Sequence, residues 1–309
     1  MNARECPLGR PVASSMGHTF VQARVSMAAA SDKDSLASPL VAVTPRRVTA
    51  AYVRELSTRL SPRDYLIIAT LRRVRVATAR QVERLWFTTS TPLSNARSAR
   101  RTLRHLVELR VLACLYRPGG GARGGSPGHV FTLDGAGQRL AHQERHIPSR
   151  RPYAVSRAFL DHALEVTEWY VRLVEAERAA GPELLDFQAE PPAWRSFISS
   201  AGSREVLKPD AFVRLASSEW EDRWFLEVDR GTEHAPALRR QLDRYVRYWR
   251  SGQEQARHDV FPQVLWIVPD ARRHAELVDV IGRLPAETWP LFRVSMTSEA
   301  GRVLAGGMP

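Results

Sequence analysis

Three acids in the second half of the chain have the types and spacing of a metal-centred hydrolytic site. Asp210 follows Pro209 at the head of an apolar stretch, and Glu227 and Asp229 lie two apart in another, near Trp224 to Asp229. Residues two apart in a strand point to the same face. Phe225, Glu227 and Asp229 are therefore expected on one side, and Trp224, Leu226 and Val228 on the other. A carboxylate in an apolar strand is costly unless it is paired or holds a cation. Clustered carboxylates can hold Mg²⁺ or Mn²⁺, which activates water and stabilises charge at phosphorus. Gln241 and Tyr245 are four apart, so they share a face of the next helix. Upstream, His162, Glu165 and Glu168 recur at helical spacing as a further ligand or base. The candidate catalytic set is Asp210, Glu227, Asp229, Gln241 and Tyr245. The candidate metal ligands are Asp210, Glu227, Asp229 and Glu165.

A Pro-Asp strand start followed by an acid-x-polar strand resembles the layout of PD-(D/E)xK nucleases. Gln241 and Tyr245 resemble the Q-x-x-x-Y element of RecB-like nucleases. One position departs from that layout: the third motif residue, usually lysine, is Asp229. A lysine there polarises the attacking water or the charge of the transition state. Lys208 is no evident substitute, and Arg230 stays protonated and cannot act as a base. Two readings stand: metal chemistry without the lysine, or a fold kept as a binding module. In a third, Asp229, Arg230, Thr232 and Glu233 form a charged, hydrogen-bonded turn.

The first half carries a different constellation. Arg97, Arg100, Arg101 and Arg104 fall at i, i+3, i+4 and i+7 of a helix expected from about Asn95 to Arg110, so they share one face. Ala99, Leu103, Leu106 and Val107 take the opposite face. Four close cations repel each other, and ordinary solvated faces mix signs; here no acid intervenes before Glu108. Such a helix suits the DNA major groove, where arginine bonds phosphates or grips guanine. Thr91, Ser94 and Asn95 at its start would lie near backbone or base edges. The Gly-rich run Pro118 to Gly128, with Arg117 and Arg123, would be a wing. The candidate DNA-binding residues are Ser94, Asn95, Arg97, Arg100, Arg101, Arg104, Arg117 and Arg123.

The elements that must position these residues follow from pattern. Ser61-Pro62 starts a helix, with a hydroxyl cap and proline at its first turn, and Thr78 caps a second. The arginine-faced helix is third. Strands near Val111 to Tyr116 and His129 to Leu133 follow, then a helix from about Ala136. This is the order of a winged helix-turn-helix. Ile147 to Pro152 is basic and proline-punctuated, as linkers are. Beyond it comes a long helix near Val155 to Ala179, then strands near Leu184 to Ala189, Asp210 to Ala216 and Trp224 to Asp229. A helix near Pro236 to Arg250, a buried-type strand Gln263 to Val268, a helix near Ala271 to Leu284 and a strand near Phe292 to Met296 complete the pattern. The fold class is α/β (α+β): an N-terminal winged helix-turn-helix, then a restriction-endonuclease-like mixed sheet flanked by helices. The expected domains are a disordered arm 1–50, a DNA-binding domain 51–146, a linker 147–154, a nuclease-like domain 155–300 and a tail 301–309.

Composition narrows the classes. The formal net charge is +12 over 309 residues, which favours a polyanionic partner. Nearly all of it is arginine, with lysine only at Lys33 and Lys208, so placement informs more than total. Two cysteines are too few for a disulfide framework or a cysteine zinc site, and suit a reducing cytoplasm. No run approaches the roughly 18 apolar residues of a membrane span.

Leu207-Lys208-Pro209-Asp210, the string Phe225 to Glu233 (FLEVDRGTE) and the His162-Ala163-Leu164 helix after Ile147-Pro148 together resemble the replication-relaxation proteins of actinobacterial plasmids and integrative elements. The resemblance covers roughly Ser61 to Leu284. It implies a winged helix paired with a restriction-endonuclease-like domain, and a part in plasmid replication or in DNA relaxation during mobilisation. It implies Asp210, Glu227 and Asp229 as the site, supported by Arg230, Thr232 and Glu233. Double-stranded DNA is the expected partner, with relaxase or replication proteins and self-association as further ones, and no membrane. Two alternatives are an active Mg²⁺-dependent DNA endonuclease and a winged-helix repressor with a sensor domain. A sensor should show an apolar pocket, and a nuclease should show the acids converging in a cleft.

Overall fold

The computed structural model describes residues 48–115, 129–142, 156–200, 202–218 and 220–306. Each helix of the first half begins at a sequence-encoded cap. Helix α1, Ala50–Ser57, is capped by the Thr49 side chain. Helix α2, Pro62–Val74, has a capping box of Ser61 and Asp64 with Pro62 in its first turn. Strand β1, Ala77–Thr78, leads into α3, Ala79–Trp86, where Thr78 and Gln81 form a second box. Helix α4, Pro92–Glu108, is capped by Thr91. Strands β2, Leu112–Leu115, and β3, Val130–Leu133, precede α5, Gly135–Ala141. The three strands form an antiparallel sheet in the order β1-β3-β2. Leu56, Ile67, Leu71, Leu103, Leu106 and Leu112 fill the core between helices and sheet.

Three details differ from expectation. The arginine-bearing helix starts at Pro92 rather than Ser94 or Asn95, because the Thr91 hydroxyl accepts the Ser94 amide and proline pre-sets the first turn. Helix α1 begins at residue 50, at the boundary of the expected arm. Strand β1 is only two residues long, set by pairing with β3 rather than by any pattern of its own. The expected linker 147–154, the wing loop with Arg117 and Arg123, and nearly all of the arm lie outside the described residues.

The second half is a mixed α/β layer structure. Helix α6, Arg157–Arg178, is followed by β4, Glu183–Ala189, and a hairpin of β5, Arg195–Ile198, and β6, Arg204–Leu207. Then come β7, Ala211–Ala216, β8, Glu221–Val228, α7, Ala235–Arg250, and α8, Gln253–His258. Strand β9, Gln263–Val268, α9, Ala271–Gly282, β10, Phe292–Met296, and α10, Ala300–Leu304, end it. The central sheet runs β10-β9-β8-β7-β4. Strands β8, β9 and β10 are parallel, joined by the crossovers α7 and α9, while β7 is antiparallel to β8 and to β4.

The period-two pattern sorts the faces. Phe212, Phe225, Val264 and Trp266 pack under α7 and α9. Val213, Trp224, Leu226, Leu265 and Ile267 pack against α6. The segment from residue 301, expected as a tail, instead belongs to the fold: Leu304 of α10 is buried in the α6 face. Among the described residues no helix is long and apolar enough to cross a membrane.

The first-half helices are bonded to this layer structure. Val74 of α2 and Leu85 of α3 share the core beneath α6. Arg84 of α3 binds Glu175 in a two-nitrogen fork at 2.8 and 2.5 Å, and Glu168 at 2.6 Å. The Arg84 hydrogen bond holds the Glu175 carboxyl below its ordinary range. Gln81 donates to the Leu164 carbonyl at 3.0 Å, and Thr167 donates to the Val76 carbonyl at 2.8 Å. Residues Arg47–Pro309 accordingly form one compact unit.

Candidate functional site

The carboxyl ends of β8 and β9 and the start of β7 meet at one edge of the sheet. In open sheets with parallel strands, ligands favour that edge. A cleft of about 400 Å³ opens there, lined by His162, Asp210, Glu227, Thr232, Glu233 and Gln241, among others. Asp210, Glu227, Gln241 and His162 thus converge, as their spacing suggests.

Their bonding is dense. Glu227, on the same face as Phe225, is 3% exposed. The Tyr245 hydroxyl donates to its Oε1, and Gln241 Nε2 donates to its Oε2 at 2.8 Å. Tyr245 is fully buried against Phe225 and Phe292, so its hydroxyl has a fixed position. Burial pushes the Glu227 carboxyl well above the ordinary range, and the charges of Asp210 and Glu233 push the same way. Asp210 accepts the Val228 amide at 2.7 Å and contacts His162 Nε2 at 2.9 Å. That hydrogen bond raises the His162 pKa above its ordinary value, against the opposing effect of burial.

Asp229 behaves otherwise. Strand β8 ends at Val228, so alternation no longer governs the next side chain. Arg273, at the start of α9, donates to both Asp229 oxygens, through Nε and, at 3.2 Å, through the second guanidinium arm. The Asp229 and Arg273 side chains are 3% and 6% exposed. Asp229 also accepts the Gly231 amide at 2.8 Å. Gly231 has φ +71°, a left-handed turn that glycine adopts without strain. Of the charged turn considered from sequence, the Asp229–Gly231 bond is present, while Arg230 instead pairs with Asp161 and Glu165 of α6, and Arg273 is the partner that sequence did not reveal.

The remaining candidates lie apart. Glu165 pairs with Arg230 at 3.1 Å on the α6 surface and does not line the cleft. Glu168 belongs to the Arg84 joint. Lys208 lies over the Trp194 ring at 4.5 Å and does not replace the motif lysine.

A divalent cation takes about six or more oxygen ligands gathered at one point. In the cleft, both oxygens of Glu227, of Asp210 and of Asp229 already meet donors or His162. Among the described residues no three His, Cys, Asp or Glu side chains are grouped to hold a metal ion. The donor set of Asp210, Glu227, Asp229 and Glu165 therefore does not fit a resident Mg²⁺ or Mn²⁺.

The arginine face of the second constellation lies on α4. Arg97, Arg100, Arg101 and Arg104 are exposed on α4, while Ala99, Leu103 and Leu106 are buried. None of the four makes an ion pair among the described residues, whereas Arg84, Arg157, Arg172, Arg239, Arg247, Arg250 and Arg273 of other helices do. The helix start is less free than its polar residues imply. The Thr91 hydroxyl serves as the cap, and Asn95 Nδ2 donates to the Ser90 carbonyl at 2.9 Å. Ser94 is half-buried.

A sequence profile of the family described as replication-relaxation matches residues 68–264. No curated protein matches the chain. The solved structure of the restriction endonuclease FokI bound to DNA aligns over 84% of this chain and 44% of that one, with 10% identity and a TM-score of 0.21. The chain thus spans less than half of that protein, and so loose a superposition says nothing about the fold here.

Proposed function

This chain belongs to the replication-relaxation family, and from that premise we propose that it is a DNA-binding protein of a mobile element, acting in plasmid replication, relaxation or mobilisation. Helices α2, α3 and α4 with the β1-β3-β2 sheet are read as a winged helix-turn-helix within residues 51–146. We read it as followed, beyond an expected linker 147–154, by a restriction-endonuclease-like domain that runs from about residue 155 through α10. The observation that carries the reading is the unpaired arginine face of α4. Four exposed cations on one face with no acid among them complement a polyanion, and duplex DNA presents phosphates along a groove that admits a helix.

The test is duplex affinity as a function of salt. Each phosphate neutralised contributes about 0.9 to the slope of log K against log salt. The double variant Arg100→Ala, Arg101→Ala should lower that slope by about 1.8 relative to the parent. An unchanged slope and affinity would refute the reading.

The convergence of Asp210 and Glu227 in one cleft favours a second reading, a DNA endonuclease. The absence of a three-ligand metal group among the described residues argues against it, and we expect the cleft to hold a partner without cutting it. Supercoiled DNA incubated with the chain and Mg²⁺ or Mn²⁺ should stay intact. Nicking by the parent that both Asp210→Ala and Glu227→Ala abolish would establish the endonuclease instead.

A further inference from the structure

Two of the polar side chains expected to read bases at the head of α4 already bond within the protein. Thr91 caps the helix and the Asn95 amide is tied to Ser90. One neighbour has no such role. Leu93 is 81% exposed, and no other large apolar side chain among the described residues is as exposed. Isolated apolar side chains are common on protein surfaces; the placement of Leu93 distinguishes it. It lies about one helical turn before Arg97, two before Arg100 and three before Arg104, at the N-terminal end of the unpaired cationic face.

We propose that Leu93 is a specificity-determining residue that packs on the 5-methyl group of a thymine in the major groove while the arginines behind it hold phosphates. The inference rests on the DNA-binding reading above. The groove carries an apolar feature that an apolar side chain can read, the thymine methyl. The N-terminal residues of a groove-bound helix are those that meet base edges. Leucine cannot bond a phosphate, so its contribution is confined to sequence and does not depend on salt.

The experiment uses the full chain. A bound duplex is first selected from a random pool, and each thymine in it is replaced singly by deoxyuridine, which differs only in lacking the methyl. Burying one such group is worth about 0.8 kcal/mol, or roughly fourfold in affinity. One thymine per site should show that loss with the parent, and Leu93→Ala should bind thymine and deoxyuridine alike there. Arg97→Ala should keep the discrimination while weakening all duplexes. Because Leu93 is exposed, its replacement leaves the fold unchanged, which a thermal melt verifies. Binding in which no thymine responds to demethylation, or in which Leu93→Ala keeps the response, overturns this inference alone. A pool that yields no bound duplex overturns the DNA-binding reading and this inference with it.

Discussion

Arg273→Ala should cost the fold about 3–5 kcal/mol, the usual penalty for stripping one partner from a buried ion pair. Asp229 would lose both guanidinium bonds at 3% side-chain exposure and keep only the Gly231 amide as a partner. The reverse change, Asp229→Ala, should cost less. Arg273 would still hold Glu276 at 3.0 Å, and that acid is 37% exposed and solvated. Replacing both together, with Asp229→Asn and Arg273→Met, should recover part of the loss, since an apolar or neutral pair removes the desolvation cost of both charges. Urea denaturation of the three variants measures these differences. A loss below about 1 kcal/mol in Arg273→Ala would place the pair in the regime of surface ion pairs and reopen Asp229 as a residue that acts on a ligand.

The second large effect is expected at the joint between α3 and α6. Leu85 is 1% exposed in a core that includes residues of α6 and the central sheet. Leu85→Ala should destabilise the protein by about 2–5 kcal/mol through lost transfer energy and the cavity left behind. Since that core spans both halves, the parent and the variant should each unfold in one transition, with circular dichroism and tryptophan fluorescence coinciding. Two resolved transitions, with only the first shifted by the variant, would show that the halves fold independently.

Much of this architecture is legible from residues alone, for identifiable reasons. Gln263–Val268 is a short apolar run between prolines and Phe292–Met296 alternates apolar with polar residues, and both are strands with those ends. Ser61 and Thr78 announce helix starts because their hydroxyls have amides to satisfy three residues on. The β5–β6 hairpin escapes notice because each strand has four residues and follows the Pro191-Pro192 stretch. Helix α10 escapes because five residues carry too little periodicity. In the cleft, the meeting of Glu227, Gln241 and Tyr245 follows from alternation on a strand and i,i+4 spacing on a helix. The fate of Asp229 does not, because the strand ends one residue earlier and its partner lies 44 residues away on α9. Nothing local to Arg273 marks it. At the head of α4, the bonds of Thr91 and Asn95 escape notice for a related reason: polar residues at a helix start serve the backbone first.

The bonds between α3 and α6 also act as a ruler. Helix α4 packs on α3, α3 is fastened to α6, and α6 carries His162 at the rim of the cleft. With α4 seated in a groove, the cleft cannot wander along the duplex. On the proposed DNA-binding reading it would meet the nucleic acid, or a protein gathered there, at one displacement from the recognised sequence and on one side of the double helix. Protein packing would then fix distance along DNA and angle around it, and the spacing between two elements of the bound site would become as much a part of the signal as their bases.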